Sequence, residues 1–317
     1  MISLRPRMPR LPGMDLLDEW ATDTGYAAGW MVVRAMPEFV ARNLFDAGAL
    51  YAARGGGPEQ LRKNLARVLG VPAAEVPSSL LRASLESYAR YWREAFRLPA
   101  MDHAAVARQV AQTVIGNEHV DAALAAGRGA VLALPHSGNW DMAGVWMAQT
   151  RGGFTTVAER LKPESLYRRF LDFREGLGFE VLPLSGGDRP PFDVLAERLA
   201  ANRLVCLMAD RDLTRSGVPV EFFGETTRLP AGPARLAIET GAALLPTHCW
   251  FDGDGWGVHI HAPLDCGSGD VAVITQALAD RFAEGIAAHP ADWHMLQPQW
   301  VADLPESRRA RLGDGQA

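Results

Sequence analysis

The sequence predicts an α/β protein: a single domain built on a mostly parallel central sheet, covered by helices and preceded by a helical amino-terminal region. Three observations predict it. Short continuous apolar runs, such as VLAL at 131–134 and LVCLM at 204–208, read as strands buried on both faces. Helical stretches separate these runs over more than 150 residues, the alternation that a parallel sheet requires. No repeat or low-complexity linker divides the 317 residues, and 48% hydrophobic with 22% charged residues suits a chain with a substantial core. Residues 1–20 read as a flexible amino terminus, 21–310 as the domain and 311–317 as a tail.

Taken in order, residues 15–125 read as helices, including 58–70 and 79–99, with breaks at Gly55–Gly57 and between Pro72 and Pro77. Between Tyr26 and Tyr51 the sequence is nearly all apolar or small. The main exceptions, Arg34, Glu38, Arg42 and Asp46, recur every four positions as one polar stripe of alternating charge. Pro37 predicts a kink or a break there. A helix apolar around so much of its circumference is buried in protein or in a lipid interface. Strands are expected at 131–134, 155–157, 180–182, 204–208 and 244–248, and a further one in the alternating WGVHIH of 256–261. Helices are expected between them at 163–177, 191–202 and 231–240, and then at 271–289.

Residues 132–144, LALPHSGNWDMAG, carry the first chemical signal. A buried strand ends at Pro135, Ser137–Asn139 supply turn or capping chemistry, and a helical pattern starts at Trp140. His136 therefore sits at the carboxyl edge of a strand, where open α/β sheets place their ligands. Asp141 opens the next helix, and the turn can bring its carboxylate onto imidazole Nδ1, leaving Nε2 to take a proton. That is a general base without its own nucleophile, suited to a substrate hydroxyl. Left without that contact, His136 is a core histidine and Asp141 a residue favoured by the helix dipole. A second cluster follows the strand at 204–208: Asp210, Arg211 and Asp212 emerge at the same edge. They supply a carboxylate and a guanidinium to one crevice, or an ion pair that closes a loop.

Composition excludes other classes. The chain lacks a G-x-S-x-G elbow, a P-loop and a G-x-G-x-x-G turn. Cys206, Cys249 and Cys266 have no C-x-x-C spacing, and the gap from His136 to Asp141 suits no zinc site, so no metal is expected. Aromatic residues are not interleaved with a basic groove, which argues against nucleic acid. The net charge is −5, yet residues 51–100 hold eight basic and four acidic side chains, Arg54, Arg62, Lys63 and Arg67 among them. With the apolar stretch before it, this segment points to an anionic membrane surface as partner, or to an ordinary solvated face. No stretch nearby has the roughly 20 apolar residues of a membrane span.

The H-x-x-x-x-D motif together with VCLMADRDLTRSGVPVEFFGETTRLPAGPARLA (205–237) resembles the glycerolipid and lipid A acyltransferase superfamily. Longer phrases, TTVAERLKPESLYRRF, LGFEVLPLSGG, ETGAALLPTHCW and HPADWHMLQPQW, are similar to its phosphatidylinositol mannoside acyltransferase family of actinobacteria. The resemblance spans about residues 25–310. It implies transfer of palmitoyl from palmitoyl-CoA to the 6-hydroxyl of the mannose on inositol position 2 of phosphatidylinositol mannosides. It further implies a peripheral protein at the cytoplasmic face of the inner membrane, and we expect a monomer. By position it implies His136 as general base, Asp141 as its orienting acid and Asp210 as a further catalytic carboxylate, commonly glutamate in the family. Glu159, Arg174 and Arg211 would then line the site, with Ser216 and Glu239 as acyl-CoA contacts. The chemistry itself needs no cofactor, because a thioester brings its own activated carbonyl. Amides of the Ser137–Asn139 turn or an arginine are the candidate oxyanion donors. The same base also suits a related glycolipid or lysophospholipid acyltransferase or, with water as acceptor, a thioesterase; a lipid-binding protein would need no base.

Overall fold

A computed structural model of the chain describes residues 29, 31–159 and 164–313. The expected flexible stretch 1–20 and residues 314–317 of the expected tail lie outside the described residues, whereas residues 311–313 belong to the last helix. In chain order the helices are α1 (Glu38–Ala52), α2 (Glu59–Leu69), α3 (Ser78–Arg97), α4 (His103–Val110), α5 (Asn117–Ala125), α6 (Trp140–Arg151), α7 (Glu164–Gly176), α8 (Pro191–Ala200), α9 (Gly232–Thr240), α10 (Val271–Ala288) and α11 (Glu306–Gly313). The strands are β1 (Val114–Ile115), β2 (Ala130–Leu134), β3 (Phe154–Ala158), β4 (Phe179–Pro183), β5 (Leu204–Met208), β6 (Val218–Phe222), β7 (Glu225–Leu229), β8 (Ala243–Asp252) and β9 (Gly255–Ile260).

Seven strands form one sheet in the order β1-β9-β8-β2-β5-β3-β4. All pairings in it are parallel except β8 with β9. β2, the expected central strand, has all five residues buried. Its alternate side chains feed two separate cores: Ala130, Leu132 and Leu134 pack with α4–α6 residues such as Val110, Val120 and Val145. Val131 and Ala133 pack with Leu199, Leu236 and Leu278 of α8, α9 and α10. A parallel strand covered on both faces must be apolar at every position, which is why its sequence shows no alternation.

The structure adds three strand features to the expected set. β8 runs four residues further than 248 and turns through Gly253 into β9 as an antiparallel hairpin. β1 is a two-residue edge strand. β6 and β7 form a separate hairpin whose two-residue turn, Phe223 and Gly224, has positive φ at both positions, the geometry that matches strand twist. Its signal was in the sequence: Val220 and Phe222 are buried, with Pro219 and Glu221 exposed, an alternation of period two.

Pro37 breaks the amino-terminal helix as expected, and α1 starts directly after it. Two residues of the polar stripe pair with the rest of the protein: Glu38 with Arg97 (2.8 Å) and Arg42 with Asp254 (2.6 Å). Ala41 and Ala49 are buried, but Met31, Phe39, Leu44, Leu50 and Tyr51 lie 45–72% exposed. The basic segment differs from the expected free cationic face. Arg67 is held by Asp303 (2.9 Å) and Glu225 (2.9 Å), and Lys63 by Glu59 (2.7 Å). No helix among the described residues is long and apolar enough to cross a membrane.

Candidate active site

The site is made by strand register. Leu134 of β2 stands opposite Met208 of β5, and one step further the amide of Ala209 donates to the carbonyl of Leu134 (2.8 Å). Continuing the register brings Asp210 beside His136. Asp210 is completely buried, and its Oδ1 lies 2.6 Å from His136 Nδ1. Its Oδ2 accepts from the His136 amide (3.0 Å) and from Trp293 Nε1 (3.0 Å), while Gln299 Nε2 donates to its carbonyl (2.6 Å). Burial opposes ionisation of Asp210, but the His136 charge and these donors outweigh it and hold the carboxyl below its ordinary range. For His136 burial favours the neutral ring, and the adjacent carboxylate outweighs that and raises its pKa. The proton therefore sits on Nδ1, facing an ionised acceptor. The side chain is 41% exposed, and Nε2 makes no hydrogen bond among the described residues. A neutral imidazole anchored in this way can take a proton at Nε2.

The acid expected on Nδ1 was Asp141, and the structure corrects this: Asp210 occupies that place. Asp141, buried in the first turn of α6, instead accepts from Tyr91 Oη (3.2 Å) and Arg174 Nε (3.2 Å). Its charge is the main reason that the Arg174 pKa rises. The five-residue spacing to His136 is local, so the first turn of α6 turns the carboxylate toward α3 and α7. Asp141 thus clamps two elements around the histidine loop. Asp141→Ala should remove about 3–5 kcal/mol of stability, because it leaves a largely buried guanidinium unpaired. Thermal unfolding checks this: a melting temperature within about 2 °C of wild type would rule out the clamp.

The turn after His136 is tightly specified. Gly138 has φ +57°, and a Cβ there would lie 2.6 Å from the backbone of Cys249 and Trp250. The amide of Ser137 donates to Pro135 O (2.8 Å) and that of Gly138 to Asp292 O (2.9 Å). Those two expected oxyanion donors are therefore already committed. Asn139 caps α6 through Met142 N (3.2 Å) and donates to buried Glu94 (2.8 Å).

The remaining expected residues divide. Arg174 lines an apolar cavity together with Leu134, Trp140, Gly144 and Met208. Trp140 stands edge-on to His136 at 5.6 Å. Glu159 follows the carboxyl end of β3, and its field acts on Arg211, whose Nε donates to Pro298 O (2.8 Å). Ser216 is in the loop after β5 but is tied to Thr214 (2.7 Å) and Asp212 (3.3 Å) within its own turn. Glu239 is not at the site. It pairs with Arg235 (3.1 Å) near the end of α9, beside the start of β8, and Ala243 there is level with Ala130 at the opposite edge of the sheet from His136.

Sequence reasoning missed the contribution of residues 292–299. Besides Trp293 and Gln299, the amide of His294 donates to His136 O (2.7 Å), and its Nε2 meets Ser87 Oγ (2.8 Å), which donates to Asp292 (2.7 Å). Burial pushes the His294 pKa down to about 3, so this second histidine is neutral. The phrase HPADWHMLQPQW was itself the signal, since tryptophan, histidine and glutamine are costly to bury without partners.

A sheet-edge histidine–carboxylate pair, separated by Trp140 from an apolar cavity, suits an enzyme that works on an apolar substrate. Residues 7–302 match the family described as bacterial lipid A biosynthesis acyltransferase, and the chain belongs to that family. It is an acyltransferase. Relatives named phosphatidylinositol mannoside acyltransferase include two from Mycobacterium tuberculosis. That of strain CDC 1551 is 75% identical and that of strain H37Rv 74%, each over 292 residues and 92% of both chains. One from Mycolicibacterium smegmatis is 71% identical over 303 residues, covering 96% of this chain and 99% of that one.

Proposed function

We propose that this protein transfers a palmitoyl chain from palmitoyl-CoA to the 6-hydroxyl of the mannose on inositol position 2 of phosphatidylinositol mannosides. The observation that carries the reading is the Asp210-anchored imidazole of His136 beside the apolar cavity. Nε2 removes the hydroxyl proton as the sugar oxygen attacks the thioester carbonyl, a step worth typically 10²–10⁴ in rate. The new C–O bond gives a tetrahedral oxyanion. Its collapse breaks the C–S bond, and the leaving thiolate takes the proton back from the imidazolium. Asp210 stabilises that imidazolium. With the Ser137 and Gly138 amides committed and Arg174 Nε paired with Asp141, the Asn139 amide and the terminal nitrogens of Arg174 are left as oxyanion donors. The names and identities of the mycobacterial relatives support the acceptor. Purified protein incubated with palmitoyl-CoA and a panel of mannosylated and unmannosylated inositol lipids tests the reading. Acylation of the mannosylated lipids alone is expected; release of free palmitate with no acylated lipid would replace transfer by hydrolysis.

The enzyme meets its acceptor at the cytoplasmic face of the inner membrane through the exposed apolar side chains of α1 and of Met31 and Val32 before it. Apolar insertion supplies most of the attachment, since Arg67 and Lys63 are already paired. Burying each large side chain is worth about 1.5–3 kcal/mol. Phe39→Glu with Leu44→Glu should therefore lower flotation with anionic vesicles at least about tenfold while leaving the melting temperature unchanged. Equal flotation of variant and wild type would remove α1 from the membrane contact.

A further inference from the structure

Gly144 lies in the middle of α6, where glycine costs about 1 kcal/mol relative to alanine. Its surroundings explain it. A Cβ on Gly144 would lie 2.6 Å from Phe179 Cζ and 3.1 Å from Phe154 Cζ, distances that neither ring tolerates without moving. The two rings pack on each other at 4.5 Å and are buried, and both line the apolar cavity together with Gly144. Their height in the sheet follows from register. Phe154 and Phe179 are paired first residues of β3 and β4, and Thr155 is level with Val205 and so with Val131. Phe154 thus stands at the level of Ala130, six positions before His136 in register and two strands to the side of β2. The ring tips meet Gly144 one helical turn along α6 from Trp140, so they wall the cavity there.

We infer that Gly144, with Phe154 and Phe179 against it, forms the floor that sets the length of acyl chain this enzyme transfers. The inference rests on the cavity holding the donor's acyl chain, as proposed above. A side chain at 144 fills the floor or drives the rings into the cavity, and either shortens the space. Truncating Phe154 lengthens it. A missing or surplus methylene in an apolar pocket changes specificity by about 10–200-fold, so the effect is large enough to read.

The test measures kcat/KM for dodecanoyl-, tetradecanoyl-, palmitoyl- and stearoyl-CoA with a mannosylated inositol lipid as acceptor. Gly144→Ala should raise the dodecanoyl-to-palmitoyl ratio about tenfold or more. Phe154→Ala should move the optimum the other way, toward stearoyl. Phe179→Leu serves if either variant fails to fold. Folded variants whose four rates stay in the wild-type ratio, including a uniform loss, would overturn the floor. Occupancy is measured separately, as the part of the tryptophan quenching by a spin-labelled fatty acyl-CoA that disappears when Trp140 and Trp146, which line the cavity, are replaced by phenylalanine. Without that part, the cavity reading fails and the floor with it. Its presence with an unmoved chain-length profile overturns the floor alone.

Discussion

His136→Ala should lower acyl transfer by at least about 10²–10⁴-fold and leave the protein folded. The base disappears, and nothing among the described residues replaces it. His294 presents a neutral imidazole, but its Nε2 is engaged by Ser87 and its ring is buried. The fold survives because the Asp210 carboxylate keeps two of its donors, the amide at position 136 and Trp293 Nε1. Single-turnover rates with palmitoyl-CoA, read beside thermal unfolding, make the check. Turnover within tenfold of wild type would exclude His136 as the base. Unfolding of the variant would instead make it a core histidine.

Asp210→Asn should cost nearly as much, through the tautomer. The amide oxygen can still accept from the His136 N–H and from Trp293. Its NH₂ group then faces Nδ1, which must become an acceptor, and the ring proton moves to Nε2. The nitrogen that should take the hydroxyl proton already carries one. A change of this kind in another histidine–carboxylate system lowers kcat by about 10⁴, and a similar loss is expected here. The pH profile gives a second readout. In the wild type the carboxylate raises the His136 pKa, so kcat/KM should rise with pH through a limb above the usual histidine value of about 6.5. Without the Asp210 charge, burial is unopposed and the limb should move to lower pH. Stability follows the same pair. The His136 contribution is complete below about 6.5 and lost as pH rises through its raised folded pKa. The Asp210 contribution is present above about 3.9 and lost as pH falls through its depressed folded pKa. The pair is therefore most stabilising between about pH 4 and 6.5. An Asp210→Asn enzyme with unchanged kcat and only a higher KM for palmitoyl-CoA would refute this role.

The parts of this protein that were legible in the sequence are those fixed by local chemistry. The apolar runs of β2 and β5 have no polar position because both faces are covered, and that pattern alone placed His136 and Asp210 at strand ends. Pro37, Pro135 and the Asn139 cap set element boundaries through backbone geometry within a few residues. Pairing across the chain was decided only in three dimensions. The sequence offered Asp141 as the partner of His136 because it is five residues away. The register of β2 on β5 instead brought Asp210, seventy-four residues away, to 2.6 Å. Arg67 looked like a free cation until α2 packed against Asp303 and Glu225, and Glu239 looked like part of the site until the course of α9 carried it to the opposite edge. The reason is the same in each case. A side chain's period and its caps are properties of its own segment, whereas its ionic partner belongs to whichever strand or helix the sheet order sets beside it.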